Sequence, residues 1–190
     1  MSPFRPDLVD VWMFRPCTRS AGAAAAAGVA GVAGVAGAAG SAGAVTDPEI
    51  LLMRRSPGRI LPGLWQCVSG SLEADETVTA GALRELREET GFDPGQIVGF
   101  YDLDQVNQFH EPSVRGIVSA AVFAVRLVAG AEPTLSHEHD GLRWVSPDEA
   151  LDLAVWPAYR ESIRRIVENL LDPERAIWFE LTLAGDRARR

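Results

Sequence analysis

The chain has 190 residues and a mass of 20.4 kDa, enough for one domain with a substantial core and short for two. We therefore expect a single domain over residues 1–190. With 18 basic and 26 acidic residues the net charge is −8, which argues against a nucleic-acid polymer as partner. A small phosphorylated ligand stays compatible with this charge if local cations offset the repulsion. Two cysteines are too few for a disulfide framework, which favours a reducing cytoplasm.

Residues 21–45 form a low-complexity insert of 13 Ala, 7 Gly, 4 Val and 1 Ser. Glycine at this frequency opposes a stable helix, so we expect a mobile loop. The segment is long enough to span a membrane, but it has no Leu, Ile or Phe, and Ala and Gly partition weakly into hydrocarbon. The sequence therefore predicts no membrane association.

The remaining pattern of short apolar runs, turn residues and helical periods predicts a mixed α/β fold. The expected strands cover residues 8–14, 49–54, 65–69, 97–104, 116–127 and 142–145. The first two strands can pair as a hairpin around the insert. The expected helices are one that is capped by Asp75 or Thr77 and ends at Gly91, one over residues 147–151 and one over 158–171. In the C-terminal extension, 172–190, residues 176–183 are expected to be an edge strand or a docked tail.

The helix before Gly91 has an unusual distribution of charge. At about 100° per residue its apolar stripe contains Val78, Ala82 and Leu86. Three carboxylates overlap or border that stripe: Glu85, Glu88 and Glu89. Such a cluster is penalised by like-charge repulsion, by the helix dipole and by desolvation. A solvated acidic face would lie opposite the stripe, so we expect these glutamates to bind divalent cations such as Mg²⁺ or Mn²⁺.

Residues 70–92, GSLEADETVTAGALRELREETGF, resemble the Nudix box. The match includes every specified position of that motif: Gly70, Glu76, Arg84, Glu85, Leu86, Glu88, Glu89, Gly91 and Phe92. Outside the box, residues 64–71, Glu138-His139 and the Leu142-Arg143-Trp144 segment look like nucleotide-triphosphate and dihydroneopterin-triphosphate pyrophosphatases of that family. The resemblance implies the Nudix fold, in which a mixed sheet lies between helices.

The resemblance also implies roles for individual residues. Glu85, Glu88 and Glu89 are expected to bind metal with help from the carbonyl group of Gly70. Glu76 and Arg84 are expected to form an ion pair that holds the loop against the helix. The catalytic candidates are Glu85, Glu88 and Glu138. Glu138 can be an outer metal ligand or the base, or alternatively a solvated loop carboxylate.

Two further segments are candidates for binding substrate. A polar and aromatic loop is expected over residues 105–110, where Gln108 and Phe109 could contact a base. At the start of the last long helix, Trp156 and Arg160 could form a pocket rim with Arg160 on a phosphate. The alternative is packing in the core, for Phe109 and also for Trp156 and Tyr159, which lie one helical turn apart. His137, Glu138 and His139 have no further zinc ligand at a suitable spacing.

These features predict a Mg²⁺-dependent hydrolase that cleaves a phosphoanhydride bond in a nucleoside triphosphate or a related nucleoside diphosphate-linked molecule. The alternatives are a non-catalytic nucleotide-binding module, a dinucleoside polyphosphate hydrolase or a nucleotide-sugar hydrolase. We expect a cytoplasmic monomer or homodimer whose partner is a small nucleotide-like molecule.

Overall fold

The computed structural model describes residues 5–17 and 48–188, and within these ranges eight strands form one mixed sheet. The strands are β1 (Leu8–Pro16), β2 (Pro48–Arg55), β3 (Trp65–Gln66), β4 (Val68–Ser71), β5 (Ile97–Glu111), β6 (Gly116–Leu127), β7 (His139–Val145) and β8 (Glu180–Leu181). The helices are α1 (Val78–Thr90), α2 (Pro147–Leu153), α3 (Pro157–Arg165) and α4 (Pro173–Ala176). A π-helical turn, Ile166–Leu170, continues α3. The predicted loop at 21–45 lies outside the described residues.

The main path of the sheet runs β3-β2-β1-β6-β5-β8, with β7 on β2 and β4 on β1. β1 and β6 are parallel, and the other pairs are antiparallel. The hairpin predicted between the first two strands is confirmed by the pairing of β1 with β2. These strands then diverge, since the first half of β1 pairs with β4 and the second half of β2 pairs with β3. The single strand predicted over 65–69 is therefore wrong: it is interrupted at Cys67, where the chain passes from β2 to β1.

Each face of the sheet has its own hydrophobic core, because alternate strand residues point to opposite sides. On one side Val11 and Met13 of β1 pack in a cluster with Ala82 and Leu86 of α1. On the other side Trp12 packs in a cluster with residues of α2, α3 and the π-helical turn. Helices therefore cover both faces, and the predicted α/β architecture is confirmed. No helix in the described part of the chain is long and apolar enough to cross a membrane.

Local signals define both ends of α1. The hydroxyl group of Thr77 accepts a hydrogen bond of 3.2 Å from the backbone N–H of Ala80. At the other end Gly91 has φ of 71°, and its N–H donates to the carbonyl of Arg87 at 2.8 Å. Glycine adopts this left-handed conformation without steric cost, which explains why the helix ends there. Of the two predicted caps, Thr77 rather than Asp75 is the residue that acts.

The loop predicted over residues 105–110 is wrong, because β5 continues to Glu111. A β-bulge interrupts the pairing with β6 between Asp102 and Val106, and Asp104 within it has φ of 51°. The side chain of Asp102 accepts the backbone N–H of Asp104 at 2.9 Å, a bond that stabilises the irregular geometry. Of the two alternatives for residues 176–183, an edge strand or a docked tail, the structure has an edge strand, but it is limited to the two residues of β8, which pair with Phe100 and Tyr101.

Candidate active site

Arg84 of α1 fastens the preceding loop to the helix. Its guanidinium group contacts both carboxylate oxygens of Glu76, at 2.8 and 3.2 Å, and donates to the carbonyl of Ser71 at 2.9 Å. Glu76 also accepts the backbone N–H of Glu73 at 2.7 Å. The hydrogen bond from Arg84 lowers the pKa of Glu76, so this carboxylate stays ionised. Arg84 and Glu76 thus hold the loop between β4 and α1 in place.

The same guanidinium group neutralises two other carboxylates of α1. Its Nη1 atom lies 2.9 Å from Glu85 and 3.1 Å from Glu88. Glu88 is mostly exposed, whereas Glu85 is largely buried, and burial raises the pKa of Glu85. In the described ranges, no three acidic, histidine or cysteine side chains converge on one position suited to a metal ion. One reason is that Arg84 draws Glu85 and Glu88 towards itself.

Gly70 of β4 approaches the end of Glu85 very closely. A Cβ atom at position 70 would lie 1.9 Å from the carboxyl carbon of Glu85. Only glycine leaves space for the carboxylate beside this backbone. The proximity also brings main-chain atoms of β4 and an acidic side chain together at one point, as a site for a cation requires.

Glu89 is the most deeply buried carboxylate of α1, with 4% of its surface exposed. Its Oε2 atom has no hydrogen-bond partner. Burial, followed by the negative charges of Glu138 and Glu85, raises the pKa of Glu89 to about 8. A buried carboxylate oxygen without a partner is costly unless a proton or a cation compensates it.

Glu138 lies just before β7 and approaches the α1 carboxylates from a different segment. Its charge is among the causes that raise the pKa of Glu89 and of Glu85. Glu138 forms an ion pair of 2.8 Å with Arg59, and both side chains are about one third exposed. We refer to Glu85, Glu88, Glu89 and Glu138 as the acidic cluster, because the charge of Glu138 acts on Glu85 and Glu89, although no three of these described side chains converge on one point.

The donor chemistry of this cluster fits a hard divalent cation. Its side-chain donors are carboxylate oxygens, the ligands that Mg²⁺ and Mn²⁺ prefer. The unpartnered oxygen of Glu89 and the close approach of Gly70 to Glu85 are the structural features that such an ion would satisfy.

A family model, the NUDIX domain, matches residues 38–166, about two thirds of the chain. The chain belongs to the Nudix family. Curated relatives include an octanoyltransferase from Myxococcus xanthus, 36% identical over 121 residues that cover 63% of this chain but only 32% of that protein. The CTP pyrophosphohydrolase of Escherichia coli is 31% identical over 120 residues, which cover 59% of this chain and 77% of the relative.

Solved Nudix structures share the fold at low sequence identity. An Ap4A hydrolase from C. elegans has a TM-score of 0.61 at 16% identity and covers 86% of this chain and 96% of its own. The E. coli dihydroneopterin triphosphate pyrophosphohydrolase has a TM-score of 0.55 at 19% identity, with 84% and 97% covered. These matches confirm the Nudix fold, and the CTP pyrophosphohydrolase is a curated relative of the kind that the box and its flanking segments resemble.

The candidate substrate residues of this Nudix protein do not all share one surface. Asn107 and Phe109 of β5 point to the side of the sheet that packs on α3, since the side chain of Asn107 bonds there to Asp10. Gln108 lies between them and therefore points to the opposite side, towards α1. Because a strand replaces the expected loop, the two side chains lie on opposite sides of the sheet, and the assignment of Gln108 and Phe109 to substrate stays a prediction.

Trp156 and Arg160 occupy the beginning of α3. Trp156 occupies the N-cap position of α3 without a side-chain capping bond, and 43% of its surface is exposed, so a ligand can reach it. Arg160 donates to the carbonyl of Leu151 and thereby connects α3 to α2. Tyr159 packs edge-on against Trp12 at 5.4 Å, which confirms the packing alternative for that residue.

Sequence reasoning missed a buried polar group next to the start of α3. Asp10 of β1 is 3% exposed and accepts a 2.8 Å hydrogen bond from Asn107. Gln105 donates to Asn107 at 2.7 Å and to the carbonyl of Ala158 in α3 at 3.0 Å. An acid within the otherwise apolar run LVDVWMF was the available signal. This group connects β1, β5 and the start of α3.

Proposed function

We propose that this protein is a Mg²⁺-dependent hydrolase that cleaves a phosphoanhydride bond in a nucleoside triphosphate or a related nucleoside diphosphate-linked molecule. The observation that carries the proposal is the acidic cluster at α1, where the buried Glu89 has an unpartnered oxygen beside the charges of Glu85 and Glu138. Mn²⁺ is an alternative to Mg²⁺, since both prefer carboxylate ligands.

The residues that would hold the cation are Glu85, Glu88, Glu89 and the carbonyl group of Gly70. A bound divalent ion would neutralise phosphate charge and increase the acidity of water. Arg84 would release Glu85 and Glu88 to the ion and would keep its contacts with Glu76 and Ser71. The loop would therefore stay fixed while the two carboxylates turn towards the ion.

Glu138 is our candidate for the general base, with Glu85 and Glu88 as the alternatives. Carboxylates that bind a cation are poor bases because the positive charge lowers their proton affinity. Glu138 comes from a separate segment and can accept the proton of the attacking water. The water oxygen forms a new bond to phosphorus while the bridging P–O bond breaks. The products are a monophosphate and pyrophosphate, or two phosphorylated halves.

The base of the nucleotide would bind on the α3 side of the sheet. Phe109 and Trp156 are both 43% exposed there and can stack against a ring. A nucleotide substrate is also supported by the name of the E. coli relative, CTP pyrophosphohydrolase, which is 31% identical to this chain. We retain a cytoplasmic monomer or homodimer as a prediction.

A substrate panel tests the proposal. The protein should be incubated with nucleoside triphosphates, dinucleoside polyphosphates and nucleotide sugars in Mg²⁺ or Mn²⁺, while release of pyrophosphate and orthophosphate is followed. We expect metal-dependent turnover that Glu88→Gln reduces by about a hundredfold or more. Binding without cleavage across the panel would instead favour a nucleotide-binding module.

The two neighbouring residues of β5 provide a matched test of the base site. We expect Phe109→Ala to raise KM by about tenfold, the loss of one stacking contact of roughly 1 kcal/mol or more. Gln108→Ala should leave KM unchanged because its side chain points to the other face. Equal effects of the two substitutions would contradict this location of the base.

A further inference from the structure

A second buried side chain faces the unpartnered oxygen of Glu89. The Nδ1 atom of His139 in β7 lies 3.6 Å from Glu89 Oε2, and the two side chains are 1% and 5% exposed. The structure provides no other hydrogen-bond partner for either atom. Two polar groups excluded from water in this way stabilise the fold only if one donates to the other. The position of the proton on His139 therefore matters.

The surroundings of His139 determine where that proton lies. Its Nε2 atom is 3.5 Å from the amide nitrogen of Gln66, the residue at the end of β3. The amide oxygen of Gln66 accepts a hydrogen bond of 3.3 Å from Arg55. Because Arg55 can only donate, Gln66 must direct its oxygen to Arg55 and its N–H to His139. His139 Nε2 is then an acceptor, which leaves the proton on Nδ1, facing Glu89.

Burial supports a neutral imidazole at this position. The side chain of His139 is almost fully excluded from water, and a charged imidazolium ion would be costly to bury there. A neutral ring carries one proton, so the two nitrogens have opposite roles. The reverse arrangement would place the proton on Nε2, against an N–H of Gln66, and two donors would then face each other.

We propose that His139 is a positioning residue for Glu89: its Nδ1–H, fixed by Arg55 through Gln66, points at Glu89 Oε2 from 3.6 Å and, after a small shift of the carboxylate, donates to it and orients it for the cation. This role rests on the proposed function, since it presumes that Glu89 binds metal. Arg55, Gln66 and His139 do not touch the substrate. They determine which way a buried ligand turns, as hydrogen-bond partners of metal ligands do in other sites.

The first test is independent of catalysis. The proton position on His139 is read from the imidazole ¹⁵N chemical shifts of histidine-labelled, metal-free protein near neutral pH. His110→Gln and His137→Gln variants assign the other two histidines. We expect the proton on Nδ1, and a proton on Nε2 would overturn the proposal.

The second test separates hydrogen bonding from packing. Binding of Mn²⁺ alone is measured by calorimetry for the parent and for two variants. His139→Leu keeps much of the volume but no donor and should weaken Mn²⁺ binding by about tenfold to a hundredfold. His139→Asn is smaller but can direct its amide N–H to Glu89, and should retain affinity within about threefold. If His139→Leu bound Mn²⁺ as well as His139→Asn, packing would be the role of His139.

Gln66 has a matched control on β5. Gln66→Met removes the group that fixes the histidine and should weaken Mn²⁺ binding, whereas Gln108→Met on the exposed face should not. Unchanged affinity in Gln66→Met would overturn the proposal. A parent that neither binds Mn²⁺ nor hydrolyses the substrate panel would overturn the proposed function together with this role. A metal-dependent parent with the proton on Nε2 would overturn the role alone.

Discussion

Gly70 and Glu85 are so close that a single added carbon atom at Gly70 would lie 1.9 Å from the Glu85 carboxyl carbon. The obstructing group is the far end of a flexible side chain, so an alanine at this position can be accommodated if Glu85 turns away. The contact therefore connects one backbone position directly to the orientation of a proposed metal ligand.

We expect Gly70→Ala to fold with a melting temperature near that of the parent but to lose metal-dependent turnover by about a hundredfold, because Glu85 is displaced. Thermal melting and initial rates in Mg²⁺ measure the two effects. Gly95→Ala is the control, since a Cβ at Gly95 would meet nothing within 4 Å. A Gly70→Ala enzyme with normal rates would show that Glu85 need not lie against β4.

The burial of Glu89 makes the metal-free protein sensitive to pH. Its pKa is about 8 in the folded chain against 4.5 ordinarily, so its contribution to stability is full below pH 4.5 and is lost as pH rises to 8. Burial lowers the pKa of His139 from 6.5 to about 4, so titration of this residue makes the folded state more stable as pH rises, and this opposite effect is complete at pH 6.5. In chelator, the melting temperature of the parent should therefore fall between pH 6.5 and 8.

Glu89→Gln removes the charge and should remove this fall, so that the variant melts higher than the parent at pH 8. Melting curves across that window measure the difference. The same variant should lose metal-dependent hydrolysis by orders of magnitude. Parallel pH profiles for the two proteins would contradict the assignment of the titration to Glu89.

Arg84→Ala should reduce both stability and activity. The substitution leaves Glu76 without its bidentate partner and the carbonyl of Ser71 without its donor, so we expect a lower free energy of unfolding. Urea unfolding and turnover measure the two losses. Arg87→Ala, an exposed arginine one turn further along α1, should change neither by much. If Arg84→Ala unfolded like the parent yet were inactive, Arg84 would have to be reassigned to substrate.

Glu138→Gln tests the proposed base. We expect turnover to fall by about a hundredfold or more, the contribution of a general base, with little change in substrate binding. Asp140→Asn is a matched control, because Asp140 is a nearby carboxylate that is also paired with an arginine, Arg54, at 2.7 Å. Activity of Glu138→Gln within about twofold of the parent from pH 6 to 9 would return the base to α1.

Deletion of residues 21–45 should preserve fold and activity. Pro16 of β1 lies directly opposite Pro48 of β2, so the two strands already meet beside the insert. Hairpins need only about two to five linking residues, and long loops cost little additional closure entropy. Circular dichroism and turnover of a variant joined by a short glycine-containing turn would measure the effect. An insoluble or inactive product would show that the insert packs.

Features encoded locally could be predicted from the sequence. The spacing from Thr77 to Gly91 and the apolar stripe of Ala82 and Leu86 were sufficient to predict α1, because caps and helical periodicity act within a few residues. The Nudix box identified Glu85, Glu88 and Glu89 in the same way, because its motif lies within 23 consecutive residues. The sequence did not distinguish β3 from β4, because the break between them at Cys67 arises only from tertiary pairing: β3 pairs with β2, and β4 pairs with β1.

Relationships across the sheet could not be obtained in this way. The polar composition after Asp104 favoured a loop, whereas the bulge there allows β5 to continue, so the opposite orientations of Gln108 and Phe109 were missed. The contact between His139 and Glu89 depends on β7, which pairs with the edge of β2 opposite to the edge that holds β3. Residues 50 positions apart carry no local signal of such a contact.

The parallel pairing of β1 with β6 has a consequence for the order in which the chain folds. Leu8 is paired with Ala120. During synthesis the backbone N–H and C=O groups along one edge of β1 therefore have no strand partner until more than a hundred further residues have been made. Contacts of such long range slow folding, and exposed strand edges promote aggregation. A nascent chain that stops before Gly116 would present the apolar residues Val9 and Val11 along a free edge. We therefore expect nascent chains and C-terminally truncated forms to depend on chaperones far more than the full-length protein does.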